Sequence, residues 1–96
     1  MLVEEIKDNE LLRQFEIQTT TGLVAIEYAI QERKLFLTKF CSNENQDEEL
    51  HSEFIFNVLK IAEERKLKVV PTHVKFISFF RKNRKFQQML PPGIKI

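Results

Sequence analysis

The sequence predicts an α+β domain in which a three-stranded antiparallel meander is followed by a helix, a short strand and a second helix, with both helices packed on the sheet. Three observations predict this class. Residues 15–40 alternate apolar and polar side chains with the period of strands and contain short turn signals. Residues 50–62 repeat apolar side chains at helical spacing. A short β-branched run that ends at Pro71 then precedes a second helical pattern.

Length and composition indicate one domain over residues 1–96, with a core from about residue 15 to residue 90. A chain of 96 residues buries a single core, so its nine phenylalanines are expected mostly inside it. The lone cysteine, Cys41, excludes an internal disulfide and predicts a reducing, cytoplasmic location. The acidic N-terminus does not resemble a secretory signal, and no apolar run approaches the roughly 20 residues of a membrane span, so no membrane partner is expected.

The first half of the chain predicts the meander. The first strand covers residues 15–19, and the second covers residues 23–30 after a turn that contains Gly22. The third strand covers residues 34–40. Strict alternation along it places three side chains on one face: Phe36, Thr38 and Phe40. Because the connections are short turns, the three strands are expected to pair antiparallel.

The second half predicts the helices. Residues 42–47 form a loop in which Asn45 or Asp47 can cap the long helix. The buried side of that helix is expected to be its apolar repeat: Leu50, Phe54, Val58, Ile61 and Ala62. Residues 68–70 form a short strand next to the third strand. Residues 73–83 form the second helix, with an apolar side of Phe76, Phe79 and Phe80, and residues 86–90 close the domain as a packed segment.

Charge is unevenly distributed along the chain. The total is +1, but the residues from Lys60 onward carry +8 and those before Lys60 carry −7. This asymmetry indicates either an anionic partner for the second half or a fold whose halves attract each other, alone or as a homodimer. The second interpretation is favoured. Nucleic acid is not expected as a partner, because domains that bind it usually have a strongly basic total.

The strongest local charge feature is the basic run Arg81-Lys82-Asn83-Arg84-Lys85. It ends the second helix, where cations suit the negative end of the helix dipole. Four bases at a helix end can also hold phosphates. A solvated, dipole-matched helix end is the favoured interpretation, and phosphate binding is the alternative.

Few side chains here can carry chemistry. Cys41 is expected as a buried or edge cysteine, since nothing in the sequence pairs it with a base. His51, in the first turn of the long helix, is expected at the surface. His73 follows a strand and opens a helix, which is a common position for ligand sites, although a residue that only packs at the helix start is the commoner case. The spacing of these three residues does not predict a zinc site, and no metal is expected.

Several segments occur in a characteristic order. Phe15 lies in the first strand, Gly22 in the turn, and Ala-Ile-Glu-Tyr at residues 25–28 in the second strand. The long helix is followed by Leu-Lys-Val-Val-Pro-Thr at residues 67–72, by an aromatic-bearing helix, and by Lys-Phe-Gln-Gln-Met-Leu at residues 85–90. In this order and spacing, residues 15–90 resemble the small single-domain members of the GCN5-related N-acetyltransferase superfamily. The segment at residues 67–72 with its following helix is the most specific part of the resemblance.

The resemblance implies transfer of an acetyl group from acetyl-CoA to an amine acceptor. In that family the third strand and the loop after it line the pantetheine arm, and the start of the long helix binds the pyrophosphate through backbone N–H groups. By resemblance, backbone groups of Phe40 and Cys41 would face the pantetheine arm. His51 and Ser52 would lie at the pyrophosphate, and His73 would lie near the acetyl group as the catalytic residue.

The sequence departs from the family at two places. The glycine-rich loop should fall near residues 47–52, where this chain has Asp-Glu-Glu-Leu-His-Ser and no glycine. Members of the small group often carry Cys-Pro where this chain has His73 and Val74. Three function hypotheses follow. The first is an acetyl-CoA-dependent N-acetyltransferase whose activity these departures impair. The second is an inactive derivative of the fold that serves as a binding or regulatory module for a protein partner. The third and least favoured is an anion or nucleic-acid binder that uses Arg81, Lys82, Arg84 and Lys85.

Overall fold

The computed structural model describes residues 5–20, 22–42, 48–94 and 96. In chain order the elements are β1 (Lys7–Asn9), β2 (Gln14–Thr19), β3 (Gly22–Gln31), β4 (Lys34–Cys41), α1 (Glu48–Glu64), β5 (Lys68–Pro71), α2 (Val74–Lys82) and a C-terminal 3-10 helix (Arg84–Met89). The five strands form one sheet in the order β1-β2-β3-β4-β5. Neighbouring strands are antiparallel except β4 and β5, which are parallel. The predicted meander, the helix–strand–helix unit and the position of the last strand beside β4 are therefore confirmed.

One face of the sheet packs against both helices and forms the core. The sheet contributes fully buried side chains, among them Phe15, Ile26, Leu35, Leu37 and Val69. The helices contribute Phe54, Val58, Phe76 and Phe80, which are also fully buried. Burial of these large apolar side chains is the main force that holds the layers together. No helix of the described residues covers the opposite face of the sheet, where Leu23 is 45% exposed.

The prediction for the buried side of α1 needs correction. Leu50 and Ile61 are only partly buried, whereas Ile55 and Leu59 are buried. His51 was expected at the surface and is only 2% exposed. The prediction was wrong because α1 is covered on more than one side: besides the sheet, α2 and the C-terminal 3-10 helix pack against it. The apolar repeat alone therefore underestimates how much of the surface of α1 is buried.

A strand that the sequence did not predict, β1, extends the sheet beyond the meander. It has three polar residues and pairs antiparallel with β2, placing Asp8 opposite Phe15. Its anchors are side-chain contacts that are distant in sequence. The Tyr28 hydroxyl donates to Asp8 at 2.6 Å, and Arg65 lies 3.0 Å from the same carboxylate. Because its three residues are polar and contacts distant in sequence hold it in place, β1 has no apolar alternation by which the sequence could predict it.

The faces predicted for β4 are also wrong in part, because the strand contains a β-bulge. Glu27 pairs with Lys39 and Tyr28 pairs with Leu37, so that Thr38 is an extra residue on β4. The Thr38 hydroxyl donates to the carbonyl oxygen of Glu27 at 3.2 Å. A bulge shifts the alternation of a strand by one residue. Phe40 consequently lies on the same face as Leu37, towards the helices, and no longer shares a face with Phe36.

The helix boundaries lie close to the predicted ones. Helix α2 covers Val74–Lys82, with His73 at its N-cap and Asn83 at its C-cap. Helix α1 begins at Glu48 in the described residues. The predicted caps of α1, Asn45 and Asp47, and most of the predicted loop lie outside the described residues. The predicted packed segment at residues 86–90 is present, with Met89 and Leu90 buried.

Candidate functional site

The candidate site begins where β4 and β5 separate. The two strands are paired from Lys34 and Lys68 to Leu37 and Pro71. One further contact follows, in which the backbone N–H and the hydroxyl of Thr72 donate to the carbonyl oxygen of Leu37 at 3.1 and 2.9 Å. Beyond it, β4 continues to Cys41 and is paired only with β3. The other edge of this last part of β4, which includes the backbone of Phe40 and Cys41, faces the start of α2.

The ring of Phe40 closes one side of this opening. Its centroid lies 4.7 Å from the His51 ring, 6.3 Å from Phe54 and 6.0 Å from Phe76. The ammonium of Lys75 lies over the same ring, 4.8 Å from its centroid. The bulge at Thr38 is what brings Phe40 to this face. Two predicted site residues, Phe40 and His51, are therefore in direct contact.

A cleft of about 240 Å³ lies between the first turns of α1 and the exposed side of α2. Helix α1 lines it with Glu48, His51, Ser52 and Ile55. Helix α2 and its C-cap line it with Val74, Lys75, Ser78, Phe79, Lys82 and Asn83. The predicted residues His51 and Ser52 thus line one cleft. Because His51 is almost fully buried, it contributes to the wall, whereas Ser52 is exposed.

Both signs of charge occur in this cleft. Glu48 and Glu49 lie in the first turn of α1. Glu48 is not isolated, because its Oε1 lies 3.5 Å from the ammonium of Lys75 on α2. The second lysine, Lys82, lines the cleft near the end of α2 and is exposed. The acidic helix start expected from the sequence is present, and a facing lysine offsets part of its charge.

His73 serves as the N-cap of α2. Its Nδ1 accepts a hydrogen bond from the backbone N–H of Lys75 at 3.1 Å, which satisfies one of the unpaired donors at a helix start. A neutral imidazole that accepts at Nδ1 carries its proton at Nε2. His73 follows Thr72 directly, so it lies where β4 and β5 separate, and its ring is 6.0 Å from Phe76. It does not line the cleft between the helices.

Cys41 has its thiol on the far side of the sheet. It follows Phe40 along an extended strand, so the two side chains point to opposite faces. Its Sγ donates to Oε2 of Glu27 at 3.6 Å. Burial raises the pKa of the Cys41 thiol, and the hydrogen bond to Glu27 raises this pKa further. The thiol is therefore protonated near neutral pH, and only the backbone of Cys41 can face the opening beside β4.

Sequence reasoning missed the contribution of α2 to the cleft. Lys75, Ser78 and Lys82 are three and four residues apart, which places them on one side of the helix. This spacing was visible in the sequence, interleaved with the apolar positions Phe76, Phe79 and Phe80. The spacing did not predict a binding site, because nothing in the sequence indicated that this side of α2 faces the first turns of α1. Among the described residues, no three His, Cys, Asp or Glu side chains cluster as metal ligands would.

The same architecture occurs in a protein of known structure. The fold resembles the solution structure of a "GCN5-like putative N-acetyltransferase" from Staphylococcus aureus, with a TM-score of 0.72, 18% sequence identity, and coverage of 99% of this chain and 94% of that chain. The protein therefore has a fold of the GCN5-related N-acetyltransferase type. Searches with family models and against curated proteins find no match to the sequence. No helix in the described ranges has the length and apolar character that a membrane crossing requires.

Proposed function

We propose that this protein is an acetyl-CoA-dependent N-acetyltransferase that transfers the acetyl group to an amine, with activity reduced by its acidic helix start. The observation that carries the proposal is the separation of β4 from β5 directly beside a polar cleft between α1 and α2. An opening at the carboxyl ends of neighbouring parallel strands is a frequent ligand position in sheets that carry helices. The fold type supports the same proposal.

The residues of this region partly fit the proposed cofactor. A cleft of about 240 Å³ is smaller than the roughly 300–1,000 Å³ of sites that enclose a whole ligand, so it suits one part of a long molecule. Its lysines and the hydroxyls of Ser52 and Ser78 are suitable partners for phosphate. Its Glu48 is unfavourable for phosphate, and no glycine allows close backbone approach at the described start of α1.

Each predicted site residue has a definite role in the proposal. Bound acetyl-CoA supplies a thioester whose carbonyl carbon an amine can attack. Backbone groups of successive strand residues point to opposite edges, so one of Phe40 and Cys41 presents its N–H and carbonyl to the open edge of β4. These groups are suited to hydrogen-bond the amides of the pantetheine arm. His51 supports the Phe40 ring, and Ser52 offers a hydroxyl to the phosphates. His73, with its proton on Nε2, is suited to donate to the oxygen that becomes negative during transfer.

The test is release of free thiol from acetyl-CoA in the presence of amines of different classes, such as polyamines, lysine-containing peptides and aromatic amines. We expect amine-dependent thiol release that falls by about a hundredfold in His73→Asn, because a donor to the developing negative charge is lost. Asparagine is the matched substitution, since it can still cap α2. Unchanged turnover in His73→Asn would contradict the role of His73.

A second function is supported by a different observation. The described start of α1 has two glutamates and no glycine, and a glutamate and a lysine across the cleft already satisfy each other. These features suit an inactive derivative of the fold that acts as a binding or regulatory module for a protein partner, with a homodimer as one form. Binding of acetyl-CoA without transfer to any amine, or no binding at all, would favour this module over the enzyme.

A further inference from the structure

We infer that this chain holds the phosphate groups of its cofactor with lysine side chains of α2, chiefly Lys82 with support from Lys75, in place of a glycine-rich loop. The inference rests on the proposed function and names the residues and the chemistry by which the same site recognises its ligand. The ligand class is a molecule that combines phosphates with an acylated arm.

One side of α2 presents hydrogen-bond donors and positive charge to the cleft. Lys75, Ser78 and Lys82 lie on one side of the helix, and all three line the cleft opposite Ser52 of α1. Two ammonium groups and two hydroxyls therefore surround one space of about 240 Å³. These groups donate hydrogen bonds to phosphate oxygens, and the lysines add favourable charge. The apolar side of α2 is used separately, because Phe76 and Phe80 are fully buried in the core.

The two lysines of the cleft differ in whether a carboxylate already pairs with their charge. Lys75 is held in place, since its ammonium contacts Glu48 at 3.5 Å and lies over the Phe40 ring. Lys82 is exposed, and among the described residues no carboxylate lies within ion-pair distance of it. Lys82 is therefore the lysine of this cleft whose charge an anion can use in full. Lys75 becomes available to the extent that Glu48 is displaced or neutralised.

A second cleft continues the first. This neighbouring cleft of about 270 Å³ shares Ser52, Phe79 and Asn83 with the first and is lined further by Glu53, Lys85 and the rings of Phe56 and Phe86. The two clefts form a groove between α1 and α2 that runs from Glu48 and Lys75 towards the basic run at residues 81–85. A long ligand that enters beside β4 would meet Lys75 first and Lys82 and Lys85 further along. The basic run thereby gains a role beyond matching the helix dipole.

The test compares two ligands and three variants. Acetyl-CoA is titrated by calorimetry at low salt, and S-acetylpantetheine, which lacks all phosphates, is titrated by following the amide signal of Phe40 in NMR spectra. The variants are Lys82→Ala, Glu48→Gln and, as the matched control, Lys7→Ala. Lys7 is an exposed lysine on β1 that lines neither cleft of the groove, and its substitution changes the net charge by the same amount as Lys82→Ala.

We expect Lys82→Ala to weaken acetyl-CoA binding about threefold to tenfold and to leave S-acetylpantetheine binding unchanged. Glu48→Gln should tighten acetyl-CoA binding about twofold to fivefold, because it removes a like charge and releases Lys75. Lys7→Ala should bind both ligands as the wild type does. The weakening in Lys82→Ala should decrease as salt is added, because salt screens exposed charges.

Two results would overturn the inference. One is acetyl-CoA binding by Lys82→Ala at wild-type affinity. The other is an equal loss for both ligands, which would indicate a structural effect of the substitution. Failure of the proposed function gives a different pattern, in which the wild type binds neither ligand and there is no affinity to compare.

Discussion

At the scale of single residues, His73 has a structural role and a position that suits the proposed one. It caps the start of α2, and it lies where β4 and β5 separate. Capping fixes the orientation of the ring, because Nδ1 is committed to the N–H of Lys75 and Nε2 carries the proton. A fixed donor at a strand opening is useful for acyl transfer, whereas a base would need the opposite proton arrangement.

Removal of the cap should be measurable as a loss of stability. We expect His73→Ala to lower the free energy of unfolding by about 1 kcal/mol, since the N–H of Lys75 loses its acceptor. His73→Asn should retain most of the stability, because asparagine is a good N-cap residue. Urea unfolding followed by circular dichroism measures both. Equal stability of His73→Ala and the wild type would show that the cap contributes nothing.

Tyr28 provides a test of the contact that anchors β1. Burial, and then the hydrogen bond to Asp8, raise the pKa of Tyr28 from 10.0 to about 12. Because the folded-state pKa lies above the unfolded one, this contribution to stability is complete below pH 10 and is lost as the pH rises through about 12. Tyr28 is the only tyrosine of the chain, which has no tryptophan, so phenolate absorbance reports this residue alone.

We expect the folded protein to titrate at about pH 12 and the urea-unfolded protein near pH 10. Tyr28→Phe should remove the absorbance change. It should also make the free energy of unfolding less dependent on pH between pH 10.0 and about 12. Titration of the folded protein near pH 10, with circular dichroism unchanged, would contradict the Tyr28–Asp8 contact.

The candidate site could be predicted only in part from residue patterns. Phe40, His51 and Ser52 were named and do lie together at the opening and the cleft. The burial of His51 could not be predicted, because it depends on the contact with Phe40, which in turn depends on a bulge. The contribution of Lys75 and Lys82 depends on the packing of two helices that the sequence does not specify.

At the scale of elements, the bulge in β4 decides the form of the site. Without the extra residue Thr38, strict alternation would point Phe40 away from the helices and Cys41 towards them. The sequence provides no signal for this bulge, since neither glycine nor proline occurs in β4. What the bulge achieves is a continuous aromatic contact from Phe76 through Phe40 to His51. Bulges are frequent next to active sites for this reason.

The turn between β3 and β4 gives a prediction at the same scale. Glu32 and Arg33 both have positive φ, 52° and 62°, which is the conformation of a two-residue type I′ turn. Such a turn favours Asn-Gly, and other residues cost about 1 kcal/mol or more each. We therefore expect the double variant Glu32→Asn, Arg33→Gly to raise the free energy of unfolding by about 1 kcal/mol. The midpoint of thermal unfolding should rise by roughly 4–8 °C.

Loss of the Glu32–Lys34 ion pair in this variant should matter little, because the pair is exposed and 3.9 Å long. The single variant Glu32→Gln is the control, and its thermal midpoint should equal that of the wild type. A lower midpoint in the double variant would contradict the assigned turn conformation.

At the scale of the whole molecule, the fold could be predicted because it depends on the order of elements and on large apolar patterns. Short turns predicted the meander, and the last short strand was predicted next to the third; both predictions are confirmed. The strand β1 escaped prediction because three polar residues carry no pattern, and its anchors Tyr28 and Arg65 are far away in sequence.

The charge asymmetry also has an explanation at this scale. Among the described residues, two ion pairs join the acidic first half to the basic second half: Asp8 with Arg65, and Glu48 with Lys75. They fit the interpretation in which the halves attract each other within the fold. A homodimer, a cytoplasmic location and a single-domain organisation stay predictions from the sequence.

The measurement that tests the central claim most directly is an NMR titration of the ¹⁵N-labelled protein with acetyl-CoA. The claim is that the ligand binds at the opening beside β4 and in the cleft between α1 and α2. We predict that the largest changes in amide signals occur at Phe40, Cys41, Ser52 and Lys75, while signals of β1 do not change. No change at saturating ligand, or changes centred outside this region, would contradict the claim.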